Sequence, residues 1–191
     1  SKMRRVIFHI DVNSAFLSWE AVYRLYHLGG QVDLRRQVSA IGGDMAMRHG
    51  IILAKSIPAK KYHIKTGETI VEARQKCPEL ILVPPNYGLY EQCSKAFMDI
   101  LHQYSPSVEQ YSVDEAFVDM TGTEGLWGDP MIAATRIKDQ IRDSLGFTVN
   151  IGISENKLLA KMASDFQKPD RVHTLWKDEI PDKMWPLPVS D

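Results

Sequence analysis

Two apolar stretches of this chain carry acidic residues in places where a folded protein would bury them. Asp11 follows the apolar run at 6–10, and Asp114 and Glu115 stand side by side within the stretch 111–117. Carboxylates that leave water lose hydration, and clustered carboxylates repel one another, so such acids either take up protons or gather around a cation. Oxygen ligands without neighbouring His or Cys favour Mg²⁺ or Mn²⁺ over zinc. The three acids are therefore candidate ligands of a divalent cation, provided that the fold brings them together.

The spacing of these acids also admits a simpler interpretation. Asp11 could cap the helix that follows it, and Asp114 could be an ordinary turn carboxylate, because Asp-Glu pairs are common. The metal interpretation requires neighbouring strands of one sheet to bring Asp11 beside the Asp114-Glu115 pair. Two cations about 3.5–4 Å apart could then activate a hydroxyl and stabilise the leaving oxygen of a phosphoryl displacement. Spacing alone leaves both interpretations open.

The composition is that of an ordinary globular protein. The 191 residues are 44% hydrophobic and 25% charged, which allows a large core and predicts one large domain or a domain with a smaller insert. The formal net charge is −1. Because binding to nucleic-acid phosphates depends on a basic surface, this charge counts against strong autonomous DNA binding.

The cysteines and histidines indicate the cellular compartment and the kind of metal site that this chain could have. Cys77 and Cys93 lack metal-ligand spacing and are too few for a disulfide framework, so a reducing, cytoplasmic location is expected. The six His residues are scattered without ligand spacing, which predicts surface or core positions for them. No apolar run approaches the roughly 18 residues that span a membrane, and the start lacks the apolar core of a signal peptide. The last residues carry neither a helix cap nor a charged tail, so the natural chain is expected to continue.

Hydrophobic periodicity predicts both strands and helices. Short apolar runs predict strands at 6–10, 38–41, 51–54, 80–83, 108–111, 115–120 and 148–153. Apolar residues at helical spacing predict helices at 15–26, 87–104, 132–145 and 157–166. These elements alternate without the strict repeat of a doubly wound sheet, and the strands joined through 112–114 form an antiparallel pair. The pattern predicts an α+β fold with a smaller inserted lobe.

Three segments carry motifs in a fixed order along the chain. They read DVNSAFLSWE at 11–20, YSVDEAFVD at 111–119 and GISENKLLAKMASD at 152–165, the last followed by Lys168-Pro169. Together they closely resemble the Y-family, or translesion, DNA polymerases, particularly the bacterial DNA polymerase IV group. The resemblance covers nearly the whole chain.

This resemblance implies a fold and an activity. The fold would be a ferredoxin-like polymerase palm at 1–28 and 86–175, a fingers insert at 29–85 and the start of a truncated thumb at 176–191. The activity would be error-prone, template-directed addition of dNMP to a primer 3′-end, with two Mg²⁺ ions, or Mn²⁺ as a substitute, as cofactors. The implied partners are primer–template DNA and a dNTP, and a sliding clamp could bind a region beyond this chain.

The resemblance also assigns residues to the metal site. Asp11, Asp114 and Glu115 would be the catalytic acids and the metal ligands. The main-chain carbonyl of Val12 would be a further ligand, and Glu115 would lie nearest the primer 3′-hydroxyl. Ser112 is expected to shape the turn that presents Asp114, without a chemical role.

Nucleotide contacts follow from the same resemblance. The backbone amides around Ser14 and Ala15 would meet the triphosphate, because the start of a helix offers free N–H donors. Phe16 lies where the family keeps an aromatic steric gate against the ribose 2′-hydroxyl. Lys168 matches a lysine that contacts the triphosphate, and Lys60 lies where many members carry an arginine. Lys157 and Lys161 are expected to face solvent or DNA phosphates.

Three positions depart from the family pattern. Lys60 keeps a charge without the planar fork of arginine, Ile57 replaces a tyrosine, and Ala15 replaces a bulky aromatic beside the steric gate. Lys55 or Lys61 could substitute in binding the nucleotide. The departures at Ile57 and Lys60 keep open a non-catalytic DNA-damage-response factor that retains the fold. Another palm-fold nucleotidyl cyclase or transferase is a further alternative.

Overall fold

The computed structural model describes residues 3–43 and 50–185. Its strands are β1 (Ile7–Val12), β2 (Ser39–Gly42), β3 (Ile52–Lys55), β4 (Ile81–Val83), β5 (Val108–Ser112), β6 (Glu115–Asp119), β7 (Val149–Ser154) and β8 (Val172–Thr174). Its helices are α1 (Ala15–Tyr26), α2 (Ile57–Lys60), α3 (Ile70–Lys76), α4 (Tyr87–His102), α5 (Glu124–Trp127), α6 (Pro130–Leu145), α7 (Lys157–Ser164) and α8 (Ile180–Met184). Every predicted strand and helix is present within two residues at each end. In the described ranges no helix has both the length and the apolar character needed to cross a membrane.

The chain divides into two compact units. Unit 1 contains Ser1–Asn13 and Ser94–Asp191, and unit 2 contains Ser14–Cys93. Unit 2 is thus one continuous stretch that begins with α1, whereas the predicted fingers insert begins only at 29. The division into palm, fingers and thumb stays a prediction, and its residues 1–2, 44–49 and 186–191 lie outside the described part of the chain.

Unit 1 is built on a five-stranded sheet with the order β5-β6-β1-β7-β8. Neighbours among the first four strands are antiparallel, and β8 lies parallel to β7. The ferredoxin-like arrangement has four antiparallel strands in the order found here, β7-β1-β6-β5. Helices lie between β1 and β5 and between β6 and β7 along the chain. The predicted α+β class with a ferredoxin-like core is confirmed. The sequence does not predict β8, because Val-His-Thr forms no apolar run.

The two central strands of this sheet are the most deeply buried part of unit 1. β1 and β7 have neighbours on both edges, and their residues Phe8, Ile10, Ile151 and Ile153 are fully buried. Unbroken apolar runs suit strands that are covered on both faces. Burial of each such side chain contributes about 1.5–3 kcal/mol to folding. Asp11 near the end of β1 is therefore held in place by a buried central strand.

Helix α7 approaches the sheet unusually closely at Gly152 in β7. A Cβ atom on Gly152 would lie 1.9 Å from the carbonyl oxygen of Ala160 and 2.4 Å from the amide nitrogen of Ser164. Only a residue without a side chain leaves room for this approach. Asn156 sets the start of α7, since its side chain accepts a hydrogen bond from the Leu159 amide at 2.9 Å. The glycine and the cap together determine where α7 lies on the sheet.

Unit 2 contains a three-stranded sheet with the order β3-β2-β4. β2 and β3 pair antiparallel, and β4 runs parallel to β2. One buried cluster holds this sheet to α3 and consists of Ala40, Ile52, Ala59, Ile64, Ala73, Cys77 and Leu80. α3 begins after Thr69, whose side chain accepts from the Glu72 amide at 3.1 Å. The sequence does not predict α3, because its seven residues are too few for a clear helical period.

Candidate active site

The three acids lie at one end of two neighbouring strands of unit 1. In the antiparallel pairing of β1 with β6, Asp11 lies opposite Glu115. The amide of Val12 donates a hydrogen bond to the carbonyl oxygen of Asp114, with an N–O distance of 2.9 Å. Asp114 lies in the tight turn between β5 and β6. The sheet thus brings together Val12 and three acids that are far apart in the chain.

The carboxylate of Asp11 is largely enclosed, with 13% of its side chain exposed. Its Oδ2 atom accepts a hydrogen bond from Lys168 Nζ at 2.7 Å, and Lys168 also pairs with Asp165 at 3.2 Å. Its Oδ1 atom is buried and has no hydrogen-bond partner among the described residues. Burial raises the pKa of Asp11 to about 6, and Lys168 opposes that shift. A buried oxygen without a donor is costly, and a bound cation would relieve that cost.

One hydroxyl group serves both acids of the β5–β6 hairpin. Ser112 Oγ lies 2.9 Å from Asp114 Oδ1 and 2.8 Å from Glu115 Oε2. A hydroxyl carries one proton, so it donates to one of these carboxylates at a time. Burial raises the pKa of Asp114, the hydrogen bond from Ser112 opposes the rise, and the charge on Glu115 adds to it. Ser112 therefore contacts both acids directly, in addition to shaping the turn.

Glu115 is held by donors from three other residues. His9 Nε2 lies 3.0 Å and Lys161 Nζ 3.4 Å from Glu115 Oε1, and Ser112 Oγ approaches Oε2. Burial by itself raises the pKa of Glu115, but these donors outweigh it and lower the pKa below its ordinary value. Glu115 is therefore ionised at neutral pH. A carboxylate that keeps its charge in a partly buried site suits the binding of a cation.

The lysines of α7 contact acids of the sheet. Lys161, with 40% of its side chain exposed, pairs with Glu115, and its Nζ lies 4.3 Å from the centre of the Tyr111 ring. Lys157 pairs with Glu109 on β5. The expectation for Lys161 named solvent or DNA phosphates; its side chain is partly exposed and also contacts Glu115, because residues four apart on a helix share a face. That face of α7 meets the β5–β6 hairpin.

His9 is the site residue that reasoning from the sequence missed. It is buried with 1% of its side chain exposed, and its two ring nitrogens contact Ser164 and Glu115. Burial lowers the pKa of His9, and the contact with Glu115 opposes this shift. A signal was present in the sequence: side chains two apart in a strand share a face, so His9 and Asp11 lie on the same side of β1.

The site fits a divalent cation by its chemistry rather than by a ready-made cage. Among the described residues, no group of three or more His, Cys, Asp and Glu side chains is gathered closely enough to hold an ion as it stands. The carboxylates instead accept hydrogen bonds or ion pairs from Lys168, Ser112, His9 and Lys161. The acids and the Val12 carbonyl still form an all-oxygen donor set that includes the unpartnered Asp11 Oδ1. Such hard donors favour Mg²⁺ or Mn²⁺, which would replace some of the protein donors on binding.

The remaining predicted nucleotide contacts belong to unit 2. α1 begins at Ala15, as predicted, and Ser14 precedes it in the left-handed conformation, with φ of 45° and no side-chain capping bond. The first amides of α1 are therefore not capped by this side chain, and they form a donor set at the positive end of the helix dipole. Lys60 ends α2 and is exposed, and Ile57 at the start of α2 is half exposed.

Phe16 lies in an aromatic cluster of unit 2. Its ring stacks on the ring of Tyr90, with centroids 4.5 Å apart and an interplanar angle of 12°. Tyr90 is almost fully buried, and its hydroxyl donates to Glu20 Oε2 at 3.4 Å. Tyr87 meets Phe16 edge-on, with centroids 6.3 Å apart. Stacked and edge-on contacts restrict ring rotation, so Phe16 presents a firm surface.

Comparison with proteins of known sequence shows the family. The family model of the impB/mucB/samB proteins matches residues 10–165. DNA polymerase IV of Clostridium acetobutylicum is 52% identical over 190 residues, which are 99% of this chain and 47% of that protein. DNA polymerase IV 1 of Bacillus subtilis is 38% identical over 187 residues, which are 98% of this chain and 43% of that protein. The chain thus spans about half the length of the curated relatives it matches.

Comparison with solved structures shows the same relationship. An insertion ternary complex of Dbh DNA polymerase matches with a TM-score of 0.79 at 26% identity, over 93% of this chain and 50% of that chain. DinB from Sulfolobus solfataricus matches with a TM-score of 0.77 at 25% identity, over the same shares of the two chains. The segment that matches the family model includes Asp11, Asp114 and Glu115. The chain belongs to the impB/mucB/samB family of Y-family DNA polymerases.

Proposed function

We propose that this chain is the catalytic part of a template-directed, error-prone DNA polymerase of the translesion type. The observation that carries the proposal is the meeting of Asp11, Asp114 and Glu115 on adjoining strands, with a buried Asp11 oxygen that no described donor satisfies. Family membership and the polymerase names of its relatives support the same reaction. That reaction adds dNMP to a primer 3′-end and releases pyrophosphate.

Asp11, Asp114, Glu115 and the main-chain carbonyl of Val12 would hold two Mg²⁺ ions, with Mn²⁺ as a substitute. When bound, such ions activate an attacking hydroxyl and stabilise the leaving oxygen of an in-line displacement. The protein contributes to the reaction by keeping the carboxylates in place and charged. The donors around Glu115 do so by lowering its pKa, and Lys168 opposes the rise in the pKa of Asp11. Glu115 would be the acid nearest the primer 3′-hydroxyl.

The incoming dNTP would bind through backbone amides and ammonium groups. The uncapped amides that follow Ser14 at the start of α1 suit phosphate oxygens. Lys168 and Lys60 would neutralise phosphate charge, and Lys168 would give up its contact with Asp11 Oδ2 as it does so. Phe16, backed by Tyr90, would exclude the ribose 2′-hydroxyl. Primer–template DNA is the second substrate, a sliding clamp would bind outside this chain, and the cytoplasm would be its location.

Primer extension tests this function. The 191-residue chain and a fusion of this chain to the remaining part of the Clostridium acetobutylicum relative are incubated with labelled primer–template, Mg²⁺ or Mn²⁺, and each dNTP. We expect the fusion to add the dNTP complementary to the template and to add nothing when the template is omitted. Conversion of free nucleotides without a template would point to a cyclase. Folded protein that binds DNA but adds no nucleotide with either metal would support the non-catalytic factor.

The chain by itself is expected to bind primer–template DNA poorly. Its formal charge of −1 supplies few of the phosphate contacts that drive binding to duplex DNA. We expect a dissociation constant in or above the nonspecific range of about 10⁻⁶–10⁻⁴ M at physiological salt. Gel-shift titrations at low and at physiological salt measure it, with the fusion protein as the positive control. Tight binding by the chain alone that weakens steeply with salt would contradict the expectation.

Replacement of Phe16 by alanine is expected to weaken the discrimination against ribonucleotides. Loss of one packing element of a pocket typically changes specificity by about 10–200-fold, so the ratio of rNTP to dNTP incorporation should rise within that range. Single-nucleotide extension with matched rNTP and dNTP by the fusion protein measures the ratio. Tyr90→Phe is the control, since it keeps the stacked ring and removes only the hydroxyl that donates to Glu20. An unchanged ratio in Phe16→Ala would remove Phe16 from the role of steric gate.

A further inference from the structure

A buried imidazole connects helix α7 to the acid of the hairpin. His9 Nδ1 lies 2.7 Å from Ser164 Oγ, and His9 Nε2 lies 3.0 Å from Glu115 Oε1. His9 is buried on β1, Ser164 is the last residue of α7, and Glu115 is the first residue of β6. Three separate elements of unit 1 therefore converge on one ring.

The backbone explains why the ring is held in this orientation. In the sheet, His9 lies opposite Gly152 on β7 and opposite Phe117 on β6. Gly152 leaves room for the end of α7, which brings Ser164 against the ring. On the other side the Phe117 ring packs at a tilt, with centroids 5.0 Å apart. The ring therefore lies between the Ser164 hydroxyl and the Phe117 ring, and turning it would lose the Ser164 contact.

The hydrogen-bond partners of His9 decide whether its Nε2 atom, which faces Glu115, carries a proton. An ionised carboxylate only accepts, so Nε2 must carry a proton to bond to Glu115 Oε1. Ser164 Oγ lies 2.7 Å from the Lys161 carbonyl and 2.7 Å from His9 Nδ1, and its single proton can go to either acceptor. In both arrangements Nε2–H still donates to Glu115. The direction of this bond is therefore the same for the neutral and the protonated ring.

The other donors to Glu115 are less constrained. Lys161 is 40% exposed, has a flexible side chain and also interacts with the Tyr111 ring. Ser112 divides its one proton between Glu115 and Asp114. The His9 ring is buried and has no such alternative acceptor for Nε2–H among the contacts that surround it in the described structure. It is the donor best suited to determine where Oε1 lies.

We infer that Ser164 and His9 form a positioning pair that sets the orientation of the Glu115 carboxylate. The pair holds Oε1 at the buried ring, and Oε2 then faces Ser112 Oγ, the hydroxyl that also reaches Asp114. This inference rests on the proposed function, because it treats Glu115 as an acid of the metal site. Neither residue touches substrate, and both act through Glu115. Removal of a residue that hydrogen-bonds to a metal ligand typically lowers metal affinity or activity by about 10–100-fold.

Mn²⁺ binding to the 191-residue chain tests the pair without any turnover. Free Mn²⁺ is measured by electron paramagnetic resonance in titrations of the wild type and of variants. His9→Phe removes the donor and keeps a ring, His9→Gln restores an N–H donor at a similar reach, and Ser164→Ala removes only the partner that orients the ring. We expect His9→Phe to weaken binding by about 10–100-fold, Ser164→Ala to weaken it less, and His9→Gln to recover most of the loss. His102→Phe on the exposed end of α4 is the matched control and should bind as the wild type does.

Failure of the inference and failure of the proposed function give different results. Wild-type binding that depends on Asp11, shown by its loss in Asp11→Asn, with equal affinity in His9→Phe and Ser164→Ala would overturn the positioning pair alone. Wild-type Mn²⁺ binding that is no different in Asp11→Asn would overturn the metal site and the pair together. Circular dichroism melts establish that each variant is folded. Should His9→Phe unfold, a loss in Ser164→Ala supports the pair, and unchanged affinity in that variant overturns it.

The same variants separate positioning from general damage in the fusion protein. Because Glu115 would lie nearest the primer 3′-hydroxyl, a misplaced carboxylate should lower kcat for dNTP addition while the KM for dNTP stays within about twofold. His9→Gln should recover kcat. A rise in KM without a change in kcat, or a loss in His9→Phe that His9→Gln does not recover, would contradict the positioning role.

Discussion

Primer extension should be lost when Asp114 is replaced by alanine. Asp114 lies in the turn beside Glu115 and its carbonyl is bonded to the Val12 amide, so its carboxylate belongs to the acids proposed to hold both ions. Removing even one oxyanion donor from an active site costs roughly 10²–10³ in rate, and removing a metal ligand should cost at least about 10³. Single-turnover extension by the fusion protein with Mg²⁺ measures this loss.

The stability of Asp114→Ala should separate catalysis from folding. Burial raises the pKa of Asp114 above its ordinary value, so the ionised carboxylate costs folding free energy once the pH exceeds that ordinary value. At neutral pH the variant should therefore melt at the wild-type temperature or above it, and this gain should shrink as the pH falls toward the ordinary pKa of an Asp and be absent below it. Asp99→Ala is the matched control, since Asp99 is an exposed acid with one ion pair to Lys95. Full activity in Asp114→Ala, or equal losses in both variants, would count against the proposed site.

Gly152→Ala is expected to destabilise unit 1 more than any surface substitution. The new Cβ would lie 1.9 Å from the Ala160 carbonyl oxygen and 2.4 Å from the Ser164 amide nitrogen. Both are backbone atoms of α7, so the helix itself must move. Overpacking in a core typically costs about 1–3 kcal/mol, and a clash with backbone should cost about 3 kcal/mol or more. Urea unfolding of the chain measures the change in the free energy of unfolding.

Gly125→Ala is the control for this glycine. Gly125 lies inside α5, and a Cβ atom there would meet no atom within 4 Å. Alanine is the better helix former, so this variant should be neutral or more stable by up to about 1 kcal/mol. Equal stability of Gly152→Ala and wild type would show that α7 can shift at little cost. In that case Ser164 should also have moved away from His9, and Mn²⁺ binding should show it.

Most of the fold could be predicted from local pattern. The apolar runs before Asp11 and around Phe117 predict strands because an unbroken apolar run suits a strand that is covered on both faces. The elements missed are the short ones, α2, α3, α5, α8 and β8, whose three to seven residues carry no clear period. Spacing alone left open whether Asp11 meets the Asp114-Glu115 pair, and the resemblance to the family implied that it does.

The partners of those acids could not be predicted in the same way. The sequence motif includes Lys168, but the pattern does not show that its ammonium group binds Asp11 Oδ2. The contact of Lys161 with Glu115 was not predicted either, because it depends on where α7 crosses the sheet. His9 was treated as an ordinary core or surface residue, although its place two residues before Asp11 put both on one face of β1.

The sequence by itself therefore determined the longer strands and helices and the family, and it named the three acids that the sheet brings together. Only the tertiary structure decided how deeply each carboxylate is buried and which donors surround it. Burial raises the pKa of Asp11 and Asp114, whereas the donors around Glu115 outweigh burial and lower its pKa. The physical reason is the separation along the chain of the residues that interact. Secondary structure depends mainly on near neighbours in the sequence. The contacts of His9 with Ser164 and Glu115 depend instead on how closely α7 can approach β7 at Gly152, which has no side chain.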